Sequence, residues 1–130
     1  MLQPDFDDLI GVPFLDGGRD PKIGLDCWGL ALEVFRRHGI TLPDFAIPAL
    51  AFDLVGAEIE RQKPVWRRLI QPENPSVIVM RFNSVTCCNH CGVYIGFGQF
   101  IHTRERVGVC IDRIMSPSWA RRIDGFYLPA

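Results

Sequence analysis

The chain has 130 residues, 48% of them hydrophobic, which suits one compact domain, expected to span 1–130, with a core that covers well over half of its unfolded surface. Its 14 basic and 15 acidic side chains leave a formal charge of -1, so it carries no field that would draw it to nucleic acid or anionic lipid, and substrate recognition by a shaped groove is expected. No stretch approaches the roughly 18 apolar residues of a membrane span. The start Met-Leu-Gln-Pro-Asp-Phe-Asp-Asp also lacks the basic and apolar regions of a secretory signal, so synthesis as a soluble cytoplasmic protein is expected, with export left to another device.

In chain order, Pro4 to Ile10 reads as a short amphipathic turn of helix, after which Gly11, Pro13, Gly17, Gly18, Pro21 and Gly24 break regular structure. From Cys27 the pattern becomes helical, with Leu30, Ala31, Val34 and Phe35 on one face and Glu33, Arg36 and Arg37 on another, until Gly39 ends it. A second helix is expected from about Pro48 to Gln62, where Leu50, Leu54 and Ala57 recur at helical spacing and Pro64 stops the run. The period then changes. Val65–Leu69, Ser76–Phe82, Cys88–Phe97, Phe100–Thr103, Val107–Asp112 and Ile123–Leu128 are short runs rich in Val, Ile and aromatics, separated by Gly, Pro, Asn and Arg. Helices followed by five or six antiparallel strands make an α+β domain, with the helices packed on one side of the sheet.

Five cysteines, Cys27, Cys87, Cys88, Cys91 and Cys110, make an odd number, and three of them crowd into five positions, which argues against a disulfide framework. Cys87, Cys88 and Cys110 are expected to be small buried apolar residues. Cys27 differs, because the first turn of a helix lowers a thiol's pKa through its free N–H groups and dipole, and the Cys27 N–H itself can serve an oxyanion. Downstream, alternation puts His90, Gly92 and Tyr94 on one strand face and Cys91, Val93 and Ile95 on the other. A hairpin through Gly96-Phe97-Gly98 brings His102 beside His90. Cys27 as nucleophile, His90 as general base and His102 as the residue orienting that base form the set that acyl transfer through a thiol requires. His38 closes the first helix, where a partial positive charge suits the C-terminus, and is assigned no function.

The runs Leu9-Ile10-Gly11-Val12-Pro13-Phe14 with Gly17-Gly18, Gly24-Leu25-Asp26-Cys27-Trp28-Gly29-Leu30, His90-Cys91-Gly92-Val93-Tyr94-Ile95-Gly96 and Phe100-Ile101-His102 resemble the NlpC family of bacterial cell-wall peptidases over nearly the whole chain. The resemblance implies a papain-like fold, no metal or cofactor, and hydrolysis of an amide bond in peptidoglycan stem peptides, typically that between D-glutamate and a diamino acid. It places Cys27, His90 and His102 at the positions of nucleophile, base and third polar member. It also makes Asp26 the acid that shapes the site or meets the stem's free amine, and adds Trp28 and Phe14 as substrate-binding or site-shaping residues. Family members commonly carry Ser at Trp28 and Tyr at Phe14, so a hydroxyl that could bind substrate is missing here, and Cys91 stands where Val is usual, its side chain expected in the core. Gly17-Gly18-Arg19-Asp20-Pro21, Trp28, Leu42-Pro43-Asp44 and Trp119-Ala120-Arg121-Arg122-Ile123-Asp124-Gly125-Phe126-Tyr127 are similar to peptidases encoded among tail genes of phages, prophages and gene transfer agents. That similarity implies tail or tail-tip partners and action at the cell wall from a virion tail.

Two rival readings compete. Cys88-Asn89-His90-Cys91 has C-x-x-C spacing and, with Cys87, His102 and Cys110, raises a zinc or redox site, but an extended strand would point Cys88 and Cys91 to opposite faces. The other is a catalytically silent tail-assembly or binding module on the same fold.

Overall fold

A computed structural model describes residues 4–45, 52–81 and 88–129. The N-terminal segment is a single 3₁₀ turn, Asp7–Leu9, and not the longer helical turn expected. The reason lies at the sheet edge: Gly11 N–H donates to Val109 O at 2.9 Å and Val109 N–H to Val12 O at 2.9 Å, so the chain is pulled straight as soon as Leu9 is buried. The glycine-rich stretch that follows is more ordered than its composition suggests. It forms a two-residue hairpin of β1 (Arg19–Asp20) and β2 (Gly24–Leu25), and then enters helix α1 (Cys27–Arg37). Helix α2 (Phe52–Gln62) corresponds to the second expected helix, whose Pro48-to-Ala51 start lies outside the described residues.

The remaining strands are β3 (Arg67–Leu69), β4 (Ser76–Met80), β5 (His90–Gly96), β6 (Gln99–Arg104), β7 (Gly108–Arg113) and β8 (Ile123–Leu128). They form one antiparallel sheet in the order β3-β8-β4-β5-β6-β7. This is the α+β architecture expected, with six strands. Phe82 and Cys87 fall outside the described residues. Among the described residues, no helix is long and apolar enough to cross a membrane.

Helix α1 lies on one face of the sheet, and the apolar stripe read from the sequence buries Leu30, Ala31, Val34 and Phe35 in one core cluster with Val77, Val79, Val93 and Ile101. The opposite face carries a second cluster, Ile78, Met80, Phe100 and Trp119. Trp119, on the turn-rich segment between β7 and β8, closes that face. Strand β4 is therefore buried on both sides, which accounts for the unbroken apolar run Val77-Ile78-Val79-Met80.

Candidate active site

Helix α1 begins at Cys27 because Asp26 caps it: the carboxylate Oδ1 accepts from Gly29 N–H at 2.7 Å, an N-cap bond worth about 1 kcal/mol. The same carboxylate accepts from Arg19 Nη1 at 2.6 Å and, through Oδ2, from Gly17 N–H at 3.1 Å. Asp26 is 1% exposed, and these contacts make it the residue that shapes the entrance to the helix. Trp28 is likewise a packing residue. Its Nε1 donates to Pro43 O at 2.8 Å and its ring stacks on Trp66 at 6.0 Å, which pins the segment after α1 beside the helix start. Phe14 is half-buried and bridges Leu25, two residues before the nucleophile.

Cys27 is 8% exposed. Its thiol is held well below the ordinary cysteine range, first by a hydrogen bond from Cys91 and then by a hydrogen bond and charge interaction with His90, and these outweigh burial, which opposes ionisation. The Cys91 thiol is pushed up by the same contact and by burial, so Cys91 keeps its proton and donates it toward Cys27. Sequence reasoning put the Cys91 side chain in the core, and it is buried there. What the alternation could not show is that this core face is the one against which α1 lays Cys27.

His90 and His102 meet as the hairpin predicts, but diagonally. Strands β5 and β6 pair Val93 with Ile101, so that one step further Gly92 faces His102. A Cβ on Gly92 would stand 3.0 Å from His102 Cβ and 3.0 Å from Ile101 O. The absence of a side chain there lets the His90 ring lean across to His102, and His90 Nε2 lies 3.0 Å from His102 Nδ1. This leaves His90 Nδ1 as the nitrogen available to the thiol.

The sequence reading missed Asp112. Strands β6 and β7 pair His102 with Cys110 and Phe100 with Asp112, which sets Asp112 diagonal to His102 on the same face, with His102 Nε2 2.7 Å from Asp112 Oδ2. His102 is 0% exposed, and burial, helped by the charge of His90 and opposed by Asp112, lowers its pKa to about 4. Phe100 at 4.6 Å and Trp119 at 4.7 Å, edge-on at 89°, hold the ring in place.

The remaining thiols stand apart from this line. Cys110 is half-buried, with Sγ 3.8 Å from Asp112 Oδ2, and its thiol is pushed up by burial. Cys88 is buried as expected, and burial raises its pKa too. Because Cys88 precedes β5 instead of lying within it, it joins the same core cluster as Cys91 and does not point to the opposite face. Cys87 lies outside the described residues. Among the described residues, the C-x-x-C pair belongs to no group of potential metal ligands. Among the described residues, the one cluster of potential ligands is His102, Cys110 and Asp112. Its shortest pair, at 2.7 Å, is a hydrogen-bond separation, whereas donor atoms sharing a zinc ion at about 2.0–2.2 Å in a tetrahedron stand about 3.3–3.6 Å apart. His38 caps α1 with its backbone, but burial lowers its pKa, so it is a neutral ring there and not the partial cation expected.

The chain is similar to known proteins in both sequence and fold. The chain is 32% identical over 120 residues to Gamma-DL-glutamyl hydrolase of Bacillus subtilis (strain 168), a match that covers 89% of this chain and 26% of the relative. It is 28% identical over 122 residues to Murein DD-endopeptidase MepS/Murein LD-carboxypeptidase of Escherichia coli (strain K12), covering 93% of this chain and 57% of that protein. The chain thus spans between about a quarter and rather more than half of these relatives' length. The crystal structure of an NlpC/P60 family protein from Bacillus cereus ATCC 10987 superposes with a TM-score of 0.65 at 25% identity, over 98% of this chain and 42% of that one. With the NlpC/P60 family model matching residues 11–127, from the loop ahead of the nucleophile to the last strand, the chain belongs to the NlpC/P60 family.

Proposed function

We propose that this protein is a cysteine peptidase that hydrolyses an amide bond in peptidoglycan stem peptides, with the bond between D-glutamate and the diamino acid as its target. The observation that carries the reading is the unbroken line from a thiol at a helix start through two imidazoles, Cys27, His90 and His102. The Cys27 sulfur attacks the carbonyl carbon, its proton passing to His90 Nδ1, and the N–H of Cys27, which has no partner inside the helix, stands ready for the oxyanion. His90 then returns the proton to the leaving amine, and water, deprotonated by His90, releases the acyl group from sulfur. The choice of bond is supported by the relative named a Gamma-DL-glutamyl hydrolase. Delivery on a phage-type tail to the cell wall, after synthesis in the cytoplasm, is supported by the sequence similarity of the Gly17-to-Pro21, Leu42-to-Asp44 and Trp119-to-Tyr127 segments to tail-encoded peptidases.

The test is digestion of purified sacculi, with the released fragments weighed by mass spectrometry. Wild-type protein is expected to liberate fragments ending at D-glutamate, and Cys27→Ala to release none while keeping its circular dichroism spectrum. Release by Cys27→Ala at the wild-type rate would show that another group is the nucleophile.

A further inference from the structure

The line of hydrogen bonds runs beyond His102. An ionised carboxylate can only accept, so the 2.7 Å contact with Asp112 Oδ2 requires that His102 Nε2 carry the proton. The His102 ring is completely buried and neutral at working pH, and a neutral imidazole has one N–H, so its Nδ1 is a bare lone pair. At 3.0 Å this lone pair accepts from His90 Nε2–H, which leaves His90 Nδ1 as the basic nitrogen on the side of Cys27. Three adjacent strands thus pass one constraint diagonally across a single sheet face. Exchange of the His102 tautomer would set its Nδ1–H against His90 Nε2–H and a lone pair against the carboxylate, and exchange of the His90 tautomer would set lone pair against lone pair.

On the reading of the site as a cysteine peptidase, we propose that Asp112 is its terminal positioning residue: by accepting from His102 it fixes the tautomers of both imidazoles and, through them, supports the Cys27 thiolate and His90 imidazolium. The arrangement serves both states of the base, because His90 Nε2–H donates to His102 whether or not Nδ1 is protonated. The groups that share Asp112's surroundings are His102, Cys110 and Arg104, the last acting on both of those side chains. At the other end, Cys27 faces His90 and Cys91, with Asp26 close enough to feel its charge and Arg19 held against Asp26.

The test uses the full chain and two readouts: the pH profile of Cys27 alkylation by iodoacetamide, located by peptide mass, and kcat and KM on purified stem peptide. Asp112→Asn is nearly isosteric and uncharged. It is expected to raise the acid midpoint of alkylation by about one pH unit or more and to lower kcat by about 10- to 100-fold, with KM within about twofold. Asp112→Glu, which keeps a carboxylate, is expected to return much of both. Asp112→Ala is expected to behave as Asn or worse. A midpoint and kcat within twofold of wild type in folded Asp112→Asn would overturn the proposal. So would a loss of kcat with an unshifted alkylation profile, since that would mark a merely structural carboxylate. If the wild-type protein cleaves no stem peptide, the peptidase reading fails, yet the alkylation midpoints still decide whether Asp112 acts on Cys27.

Discussion

Replacing His102 by Asn, Gln and Ala separates its two contacts, because each variant keeps a different one. The Oδ1 of an Asn at position 102 falls where Nδ1 of the imidazole stands, so it retains the 3.0 Å acceptor for His90 and drops Asp112. A Gln places its amide nearer the former Nε2 and retains Asp112 while losing His90. Ala loses both and leaves His90 free to turn. Loss of tautomer control in a serine-protease triad costs on the order of 10⁴ in rate, so Gln and Ala are expected to lose about 10² to 10⁴ in kcat, a barrier rise of roughly 3 to 5 kcal/mol, and Asn no more than about tenfold. KM should move little, since the substrate groove is untouched. The ring is fully buried between Phe100 and Trp119, so Ala also opens a cavity at a cost of about 2 to 4 kcal/mol, or roughly 6 to 12 °C in Tm. Steady-state kinetics on purified stem peptide at a temperature where all three variants are folded, alongside thermal melts, would measure both effects. A Gln variant as active as Asn, or an Ala variant as active as wild type, would refute the assignment of His90 as the partner that matters.

Gly92→Ala tests the gap through which the histidines meet. Its Cβ would crowd His102 Cβ and Ile101 O at 3.0 Å and Phe100 Cδ2 at 3.2 Å, two of them backbone or stem atoms that cannot swing aside, so the strands must part by a few tenths of an ångström. The expected result is about 1 to 3 kcal/mol of stability lost in denaturant titration, with kcat reduced about tenfold as the His90 to His102 bond stretches, and an unchanged variant would show that this close approach is not required. Acid should destabilise the fold. His102 titrates near 4 in the folded chain against 6.5 when exposed, so between these values the unfolded state binds the proton and the folded state does not. Stability therefore falls as pH drops from about 6.5 toward 4, by up to about 3 kcal/mol for a shift of about 2.5 units, and half-buried His38 adds in the same direction. The urea midpoint followed from pH 7 to 4.5 should decline less steeply in His102→Asn, and equal slopes would remove His102 as the source.

Much of the site is legible in the sequence because its parts are set by short-range rules. An apolar stripe of period 3.6 and a stop at Gly39 are enough to put Cys27 on the first turn of a helix, and the alternation from His90 to Tyr94 is enough to put His90 and the Gly92 gap on one face. The hairpin glycines then bring His102 within reach. Asp112, Cys91 and Trp119 belong to the tertiary structure. Asp112 lies diagonal to His102 only because of the β6–β7 register, turned by Arg106 at φ 71° and Gly108 at φ 77°. The same one-residue step decides the face that every β7 side chain takes. Cys91 meets the nucleophile only because α1 packs across its face of β5, and Trp119 reaches His102 only when the segment after β7 folds back over the sheet. Periodicity along a chain states which side a residue faces, whereas what waits on that side is settled by strand register and by the docking of helix on sheet, neither of which leaves a local mark in the sequence.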